Sequence, residues 1–235
     1  QSSLKTKSAK YIFESVKSFL KKNDKMSDEW NSLNTISENA STVGSFDLGL
    51  YKTVDGSNEV LKDLENHMFE IVYLLGVDNL KFEKKNEFVI YQGSHGDKGA
   101  EIADIILPGA AYTEQNGYFT NLEGKIQKAY KASFPPEEAK EDWLIINELA
   151  ETMNHRKLFN DKDELDSSLL NQINLFIEKD KSIKSSTVEN VEFKQEILKV
   201  ENEDYYYSNA IARASKTMLE CKTAKVNLKL TGTEG

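Results

Sequence analysis

The chain has 235 residues, which is enough for one large domain with a full hydrophobic core. Hydrophobic residues make up 39% of it and charged residues 29%, which predicts a folded protein with a well-solvated surface. The net charge of −9 disfavours nucleic acid or an anionic membrane as the main partner. No apolar run in the sequence approaches the roughly 18 residues that cross a bilayer.

The first predicted element is an amphipathic helix within residues 5–22. Lysines and serines dominate it, and Glu14 is its single acid. Its apolar residues fall at helical spacing: Ile12, Phe13, Val16, Phe19 and Leu20. The pattern overlaps with that of a mitochondrial transit helix, but the segment contains no Arg. We favour a helix that docks on the domain, and we treat residues 1–24 as a candidate docking element.

Two further helices are predicted before the first strand. One begins at Ser27 and ends near Gly44, with Trp30 as its first large apolar residue. The next is a short helix within residues 56–66, where Val60, Leu61 and Leu64 repeat at helical spacing.

Three short apolar runs predict strands, namely Phe69–Leu75, Phe88–Tyr91 and Ile105–Leu107. The first reads as a strand buried on both faces. Between the second and third lie a polar turn, Gly93–Gly99, and a short helix through Ala103. Strand, turn, helix and strand form the unit of a parallel sheet, so the predicted fold class is α/β, with a parallel sheet and flanking helices.

The second half of the chain is predicted to be mainly helical. Pro135-Pro136 and two glutamates, Glu137 and Glu138, indicate the start of a helix with acids at its positive end. Its expected core face is Trp143, Ile146, Leu149, Ala150 and Met153. Residues 156–200 form a polar variable segment, interrupted by one helix, Leu165–Phe176. A last helix runs from about Ser208 to Cys221, so the predicted domain covers residues 25–222 and a tail covers residues 223–235.

The Gly93–Gly99 turn is the most site-like stretch of the sequence. A Gly-rich turn between a strand and a helix can bind phosphate through backbone N–H groups, but it is also needed for a tight corner, which we favour. It lacks the Lys-[Ser/Thr] pair of a Walker A loop. His95 and Asp97 could form an acid–base pair, yet residues this close on a turn rarely face each other, so we expect local hydrogen bonds instead.

No other residues predict chemistry. The carboxylates after Pro136 are best explained as a solvated helix start, and nothing selects one pair for hydrolysis. His67, His95 and His155 lie far apart in no ligand spacing, so a zinc site has little support. Cys221, the single cysteine, excludes a disulfide framework or a cysteine-ligated cluster held by this chain alone, and its surroundings are typical of a buried thiol. We therefore assign no catalytic, cofactor-binding or metal-binding residue.

Ordered motifs point to a family where single residues do not. They are Tyr-Gln-Gly-x-His-Gly-Asp-x-Gly at 91–99, Ala-Asp-x-x-Leu-Pro-Gly at 103–109, Ala-Tyr-Thr-Glu at 111–114, Asn-x-Glu-Gly-basic-x-Gln at 121–127 and Pro–acid–Asp-Trp-x-Ile-Ile at 136–146. With flanking stretches at Trp30–Gly49 and Ala210–Cys221, they resemble the large iron–sulfur subunit of respiratory complex I, called the G subunit in bacteria. The likeness covers roughly residues 30–153 and 204–222.

The resemblance implies a molybdopterin-oxidoreductase-like domain that serves as scaffold and binds no pterin. In the enzymes of that wider family, the Asn-x-Glu-basic-x-x-Gln loop helps to hold the pterin. Lys125 stands here where Arg is usual, and Tyr118 where Thr is usual, which weakens the case for an anionic cofactor.

The cluster-bearing, cysteine-rich N-terminal half of this family is not in the sequence. Either the sequence is a fragment, or the subunit is split and that half is a separate partner. The expected function is a non-catalytic part of the arm that passes electrons from NADH to ubiquinone, on the matrix side of the mitochondrial inner membrane. The alternatives are an active molybdopterin-dependent oxidoreductase domain and a phosphate- or nucleotide-binding module that uses Gly93–Gly99.

Overall fold

The computed structural model describes most of the chain, and the described parts fall into two compact units. The described residues are 6–27, 32–34, 36–37, 40–50, 60, 62–78, 80, 82–180, 188–197 and 204–230. The first unit draws on residues 1–54, 117–129 and 159–200, and the second on residues 55–116, 130–158 and 201–235. The predicted limits 1–24, 25–222 and 223–235 follow a different division and stay a prediction.

Helices and short strands make up the regular structure of the described residues. In order they are α1 Ala9–Lys22, α2 Thr42–Asp47, β1 Ile71–Leu75, β2 Phe88–Gly93, α3 Lys98–Glu101, β3 Ile105–Pro108, β4 Gly117–Thr120, β5 Ile126–Ala129, α4 Asp142–Asn154, α5 Lys162–Asp180, α6 Ala210–Ala214 and α7 Lys216–Leu230. A 3-10 turn, Tyr205–Tyr207, precedes α6. Among the described helices, none is long and apolar enough to cross a membrane.

The second unit is built on a parallel sheet of three strands in the order β1-β2-β3. Ile71 lies beside Phe88 and Ile90 lies beside Ile105, which fixes the register. The predicted strands, their parallel pairing and the α/β fold class are confirmed. Residues 62–65 are helical, which confirms part of the helix predicted within residues 56–66. Leu64, in this helical part, is buried.

The core of this unit lies on one face of the sheet only. Leu74, Val89 and Tyr91 form its buried centre. Partly buried apolar residues pack on this centre. They come from β1, from the loop after β1, and from α3 and the residues that follow it: Val72, Val77, Leu80, Phe82, Ala100, Ile102 and Ala103. The prediction that the first strand is buried on both faces is wrong, because Ile71, on the opposite face of β1, is 64% exposed. β1 lies at an edge of this sheet and pairs with β2.

In the first unit, β4 and β5 form an antiparallel hairpin that the sequence did not predict. Gly44 does not end a helix as expected, but lies inside α2. A Cβ at Gly44 would lie 3.4 Å from the Thr120 hydroxyl, so the glycine permits close packing of α2 on β4. Trp30, in the helix predicted from Ser27, lies outside the described residues, and residues 32–34 and 36–37 have no regular structure.

Helix α1 forms, but the residue that it buries is charged rather than apolar. Glu14 is its buried residue, and it accepts hydrogen bonds from Glu189 N–H at 2.8 Å and Lys17 Nζ at 3.1 Å. Burial alone would raise the pKa of Glu14, but these hydrogen bonds outweigh it and hold the pKa below its usual value. Phe19, which was expected to dock, is 66% exposed. Ile12, Phe13 and Val16 are also exposed, whereas Leu20, the fifth apolar residue of the predicted face, is half-buried.

Helix α4 begins later than predicted. Its first residue is Asp142 instead of Pro136, because the preceding segment runs beside the sheet. Lys140 makes a parallel bridge with Gly109, and Ala110 N–H donates to the Lys140 carbonyl at 2.8 Å. The predicted core stripe is wrong in part: Met153 is exposed, whereas Ile145 and Asn147 are the buried residues of the helix.

The later helices also differ from the prediction in extent. Helix α5 is longer than Leu165–Phe176, and its start is capped by Asp161, whose Oδ1 accepts from Glu164 N–H at 2.9 Å. The single helix expected to end at Cys221 is two helices, separated at the extended Ser215. Helix α7 continues to Leu230, so the predicted tail from residue 223 is largely helical, and Cys221 is exposed rather than buried.

Candidate functional site

The Gly-rich turn Gly93–Gly99 connects the carboxyl end of β2 to α3. A cleft of about 290 Å³ opens beside it, at the edge where the parallel strands end. Ligands of parallel α/β sheets bind at this edge. The lining includes Gly76, Asp78, Ser94, His95, Tyr112 and Asp142. The predicted turn therefore lies where a ligand site is expected, and its contacts decide what it can do.

Tyr91 holds the turn from beneath. Its side chain is fully buried, and its hydroxyl lies within hydrogen-bonding reach of the Asp78 carboxylate and, at 3.2 Å, of the Gly96 carbonyl. Burial, and then the hydrogen bond to Asp78, raise the pKa of Tyr91 well above its ordinary value. The phenol therefore stays neutral. Its O–H group donates a hydrogen bond to Asp78, in the loop after β1, and lies near the Gly96 carbonyl of the turn.

Two glycines of the turn are required because the chain passes directly over Tyr91. A Cβ on Gly99 would lie 2.5 Å from the Val77 carbonyl oxygen and 2.8 Å from the Tyr91 ring. A Cβ on Gly93 would overlap the Tyr91 hydroxyl. Gly96 has a φ of +73°, which side chains rarely adopt. Packing and backbone conformation thus account for these glycines without a ligand.

Gln92 links β1, β2 and the start of α4. Its Nε2 donates to Asp142 Oδ1 at 2.8 Å, and its Oε1 accepts from the Tyr73 hydroxyl. Gln115 completes the arrangement, since its Nε2 donates to Asp142 Oδ2 at 2.9 Å and its Oε1 accepts from Asp142 N–H at 3.2 Å. Burial, and secondly the charge of Asp142, raise the pKa of Tyr73. We refer to Tyr73, Gln92, Gln115 and Asp142 as the Gln92 cluster.

His95 and Asp97 bind different partners, so the acid–base pair is not formed. His95 is exposed, and its Nδ1 lies 2.8 Å from the Ser94 hydroxyl. Asp97 Oδ2 accepts from Arg213 Nε at 2.6 Å, which ties the turn to α6. Arg213 Nη1 also donates to the Tyr207 carbonyl at 3.1 Å. His95 thus forms the expected local hydrogen bond, whereas the Asp97 side chain pairs with Arg213, which is 116 residues away.

The turn is a poor phosphate site. The N–H groups of Ala100 and Glu101, at the start of α3, both donate to the Asp97 carbonyl at 3.0 Å. Asp78 and Asp142 place two carboxylates in the cleft, where they would repel an anion. The geometry therefore favours the structural interpretation of Gly93–Gly99 over the phosphate- or nucleotide-binding alternative.

The loop that would correspond to the pterin loop of the wider family is closed on itself. It joins β4 to β5, and Asn121 Oδ1 accepts from the N–H groups of Glu123 at 3.0 Å and Lys125 at 2.9 Å. The Lys125 side chain is exposed, and the Tyr118 ring lies beneath Lys128 Nζ at 5.3 Å. Among the described residues, every buried side-chain nitrogen and oxygen has a hydrogen-bond partner. The Asn121 side chain is therefore occupied by backbone groups of the loop itself.

The described part of the chain also contains no group of three or more His, Cys, Asp and Glu side chains that could hold a metal ion. Cys221 lies exposed on α7. That the chain itself binds no cofactor stays a prediction.

Three residues of this region were missed in the sequence. Asp78 and Gln115 lie in loops, and Asp142 was interpreted as one acid of a solvated helix start. The Asp142 position within the Pro–acid–Asp-Trp motif was the available signal. Its meaning depends on Gln92, 50 residues away, which the sequence alone does not place beside it.

Comparison with known proteins identifies the family. The molybdopterin oxidoreductase family model matches residues 1–152, so the chain belongs to that family. Within it, the predicted resemblance to the large iron–sulfur subunit of complex I is confirmed. The family model of the C-terminal part of the NADH-ubiquinone oxidoreductase G subunit matches residues 173–221.

Individual relatives agree with these matches. The chain is 34% identical over 226 residues to the NADH-ubiquinone oxidoreductase 75 kDa subunit of Reclinomonas americana, covering 90% of the chain and 31% of that relative. It is 39% identical over 211 residues to the NADH-quinone oxidoreductase G subunit of Rickettsia bellii, covering 88% and 30%. It is 33% identical over 240 residues to the mitochondrial 78 kDa subunit of Candida albicans, covering 92% and 31%. The chain thus spans about a third of the length of these relatives.

Proposed function

We propose that the chain is a non-catalytic structural part of the large iron–sulfur subunit of respiratory complex I. In this role it scaffolds the peripheral arm that passes electrons from NADH to ubiquinone. One observation carries the proposal: the motif residues that link the chain to this family are engaged in holding the fold together. Tyr91, Gln92 and Asp97 bond to Asp78, Asp142 and Arg213, and none of these three motif residues is left free for a substrate.

The proposed partners are the cluster-bearing portion of the same subunit and other subunits of the peripheral arm. Iron–sulfur clusters would be held by that portion, because this sequence has one cysteine. The proposed location is the matrix side of the mitochondrial inner membrane, in peripheral association. The mitochondrial relative from Candida albicans supports this location.

The N-terminal helix is proposed as one contact with the cluster-bearing portion. Its exposed apolar residues, such as Phe19, which is 66% exposed, support this. Replacement of Phe19 by Ser is expected to reduce the amount of co-purified cluster-bearing polypeptide. Unchanged recovery would remove α1 from the proposed interface.

The test of the function is purification of the tagged full-length chain from its own cells. We expect complex I subunits and NADH:ubiquinone oxidoreductase activity in the eluate, together with a cysteine-rich polypeptide or an attached cysteine-rich segment. Elution without complex I subunits would contradict the proposal. So would molybdenum or tungsten at one atom per chain, because that result would indicate an active molybdopterin enzyme.

A matched pair of variants separates a structural role from a catalytic one. His95→Ala removes an exposed titratable side chain of the turn and is expected to leave activity per assembled complex unchanged. Gln92→Met breaks the buried Gln92 cluster and should lower the amount of assembled complex, because Asp142 and Tyr73 lose partners. Loss of activity per complex in His95→Ala would contradict the non-catalytic role.

A further inference from the structure

The β1-β2-β3 sheet has a second apolar face, opposite to its core. We call it the open face, and its residues are Ile71, Tyr73, Leu75, Phe88, Ile90, Ile105 and Leu107. The strand register places them in rows, with Ile71 beside Phe88 and with Ile90 between Tyr73 and Ile105. Phe88 is 43% exposed and Ile105 is 44% exposed. At the carboxyl end of this face, the Gln92 cluster joins the start of α4.

Such a face is unusual for a sheet of this kind. Parallel sheets occur almost only with both faces covered, usually by helices. Here the described residues of the same unit that pack on the sheet core lie on one face, in α3 and its surroundings and in the loop after β1. Contiguous exposed apolar surface of this kind marks an interaction site.

We infer that the open face is covered by the cluster-bearing portion of the large iron–sulfur subunit, which lays a layer of helices across the strands. The inference rests on the proposed function and names a specific contact within it. Its support is the length of the relatives: the chain spans 31% of the Reclinomonas protein, so most of that protein has no counterpart here. A family with an α/β domain supplies helices as the natural cover of a parallel sheet.

Charge argues against a second copy of the chain as the occupant. Each copy carries a net charge of −9, so repulsion makes a second copy a weaker occupant than a neutral or basic partner. Asp142 adds a carboxylate at the carboxyl end of the open face, where its two oxygens accept only from neutral glutamine amides. The partner surface is therefore expected to be apolar across the strands and neutral or basic beside Asp142.

The first test is a photo-cross-link from the middle strand of the open face. The tagged full chain, with Phe88 replaced by p-benzoylphenylalanine, is assembled in its own cells, and the purified complex is irradiated. Mass spectrometry is expected to find position 88 joined to the cysteine-rich polypeptide or segment. A cross-link within residues 1–235, to a second copy or to another subunit would overturn the inference, and so would the absence of any cross-link.

The second test uses two neighbouring residues of β3 that point to opposite faces. Ile105→Glu places an unpaired carboxylate in the proposed interface, whereas Ile106→Glu places one on the opposite face, where Ile106 is 54% exposed. We expect Ile105→Glu to lower recovery of the cysteine-rich partner per tagged chain on the order of tenfold, since an unpaired charge is buried. Ile106→Glu should leave it unchanged and controls for damage to the strand itself.

The outcomes separate the inference from the proposed function. If the unsubstituted chain recovers no complex I subunit, the proposed function fails. If it recovers them and Ile105→Glu recovers them equally well, the proposed function stands and the open face is not the contact.

Discussion

Gly99 is the residue at which the packing of the turn is tightest. A Cβ at this position would lie 2.5 Å from the Val77 carbonyl oxygen, and neither that backbone nor the buried Tyr91 ring can move away easily. Gly99→Ala is therefore expected to lower the free energy of unfolding by about 2–3 kcal/mol. Gly117→Ala is the control, because its Cβ would meet only the Phe119 ring at 3.9 Å, and its change should stay within about 0.5 kcal/mol.

Urea unfolding followed by circular dichroism measures both variants. Equal stability of the two would show that the turn can relax around a side chain. The structural account of the Gly93–Gly99 motif would then lose its main support.

Glu87 provides a pH-dependent contribution to stability. Its carboxylate accepts from Lys85 N–H at 2.7 Å and pairs with His67 Nδ1 at 2.6 Å. The Lys85 N–H, then the Glu87 N–H, and the contact with His67 outweigh burial and lower the pKa of Glu87 to about 2. The unfolded chain, with an ordinary pKa of about 4.3, binds this proton first on acidification. Stability is therefore present above about pH 4.3 and is lost as the pH falls toward 2.

Glu87→Gln is expected to flatten the dependence of the unfolding free energy on pH between these limits. Urea unfolding at a series of pH values measures it, with exposed Glu83→Gln as the control, which should retain the slope of the unsubstituted chain. An unchanged slope in Glu87→Gln would contradict the assignment. Other paired carboxylates, including Asp104 beside Lys84, keep some slope in all three proteins.

At the scale of elements, Asp166 fastens α5 to the β4–β5 hairpin. It is buried, it accepts from Lys128 Nζ of β5 at 2.8 Å, and it also pairs with Lys162 one turn earlier in α5. Burial alone would raise the pKa of Asp166, but the two lysines lower it below the usual value. The lysines are 30% and 23% exposed, so solvent weakens the pairs.

Asp166→Asn is expected to lower the free energy of unfolding by about 1–2 kcal/mol, less than a fully buried pair would give. Glu148→Gln removes the Lys140 pair, whose side chains are both about half exposed, and should cost at most about 0.5 kcal/mol. Thermal and urea unfolding compare the two variants. A larger loss in Glu148→Gln than in Asp166→Asn would contradict the role of Asp166.

Elements were predictable where local signals determine them. The strand runs end at Gly76, Gly93 and Pro108, and the helix between the second and third runs predicted a parallel sheet. The start of α4 was not predictable, because the bridge between Lys140 and Gly109 is a contact between residues 31 positions apart. The buried face of α1 was missed for the same reason, since Glu14 is bound by the distant Glu189.

In the candidate site, too, local patterns were predictable and distant contacts were not. The turn itself was visible as a glycine pattern, and so was the motif that contains Gln92. Its partners were not, because Asp142 and Gln115 approach Gln92 only through the fold. The sequence already favoured a hydrogen-bonding role of His95 over an acid–base role, because neighbours on a turn rarely face each other.

At the scale of the whole molecule, one wrong prediction carries information. The apolar pattern of Phe69–Leu75 predicted a strand with both faces buried, but the chain buries one face only. The hydrophobic pattern of a sequence reflects which side chains are buried in the complete assembly, whether the same chain or another one covers them. The exposed side of α1 shows the same mismatch in the other unit. Both mismatches are expected of a chain whose fold is completed by another part of its subunit.

Expressed without its partners, the chain is therefore expected to self-associate as its concentration rises, because the open face and the exposed side of α1 have no cover. Replacing Ile71 and Ile105 together by Thr should reduce this association, since threonine keeps the strand propensity and removes apolar surface. Ile106→Thr, on the opposite face, should not. Light scattering over a concentration series distinguishes these results. A monomeric unsubstituted chain at every concentration, or equal effects of the two substitutions, would mean that the open face does not need a partner.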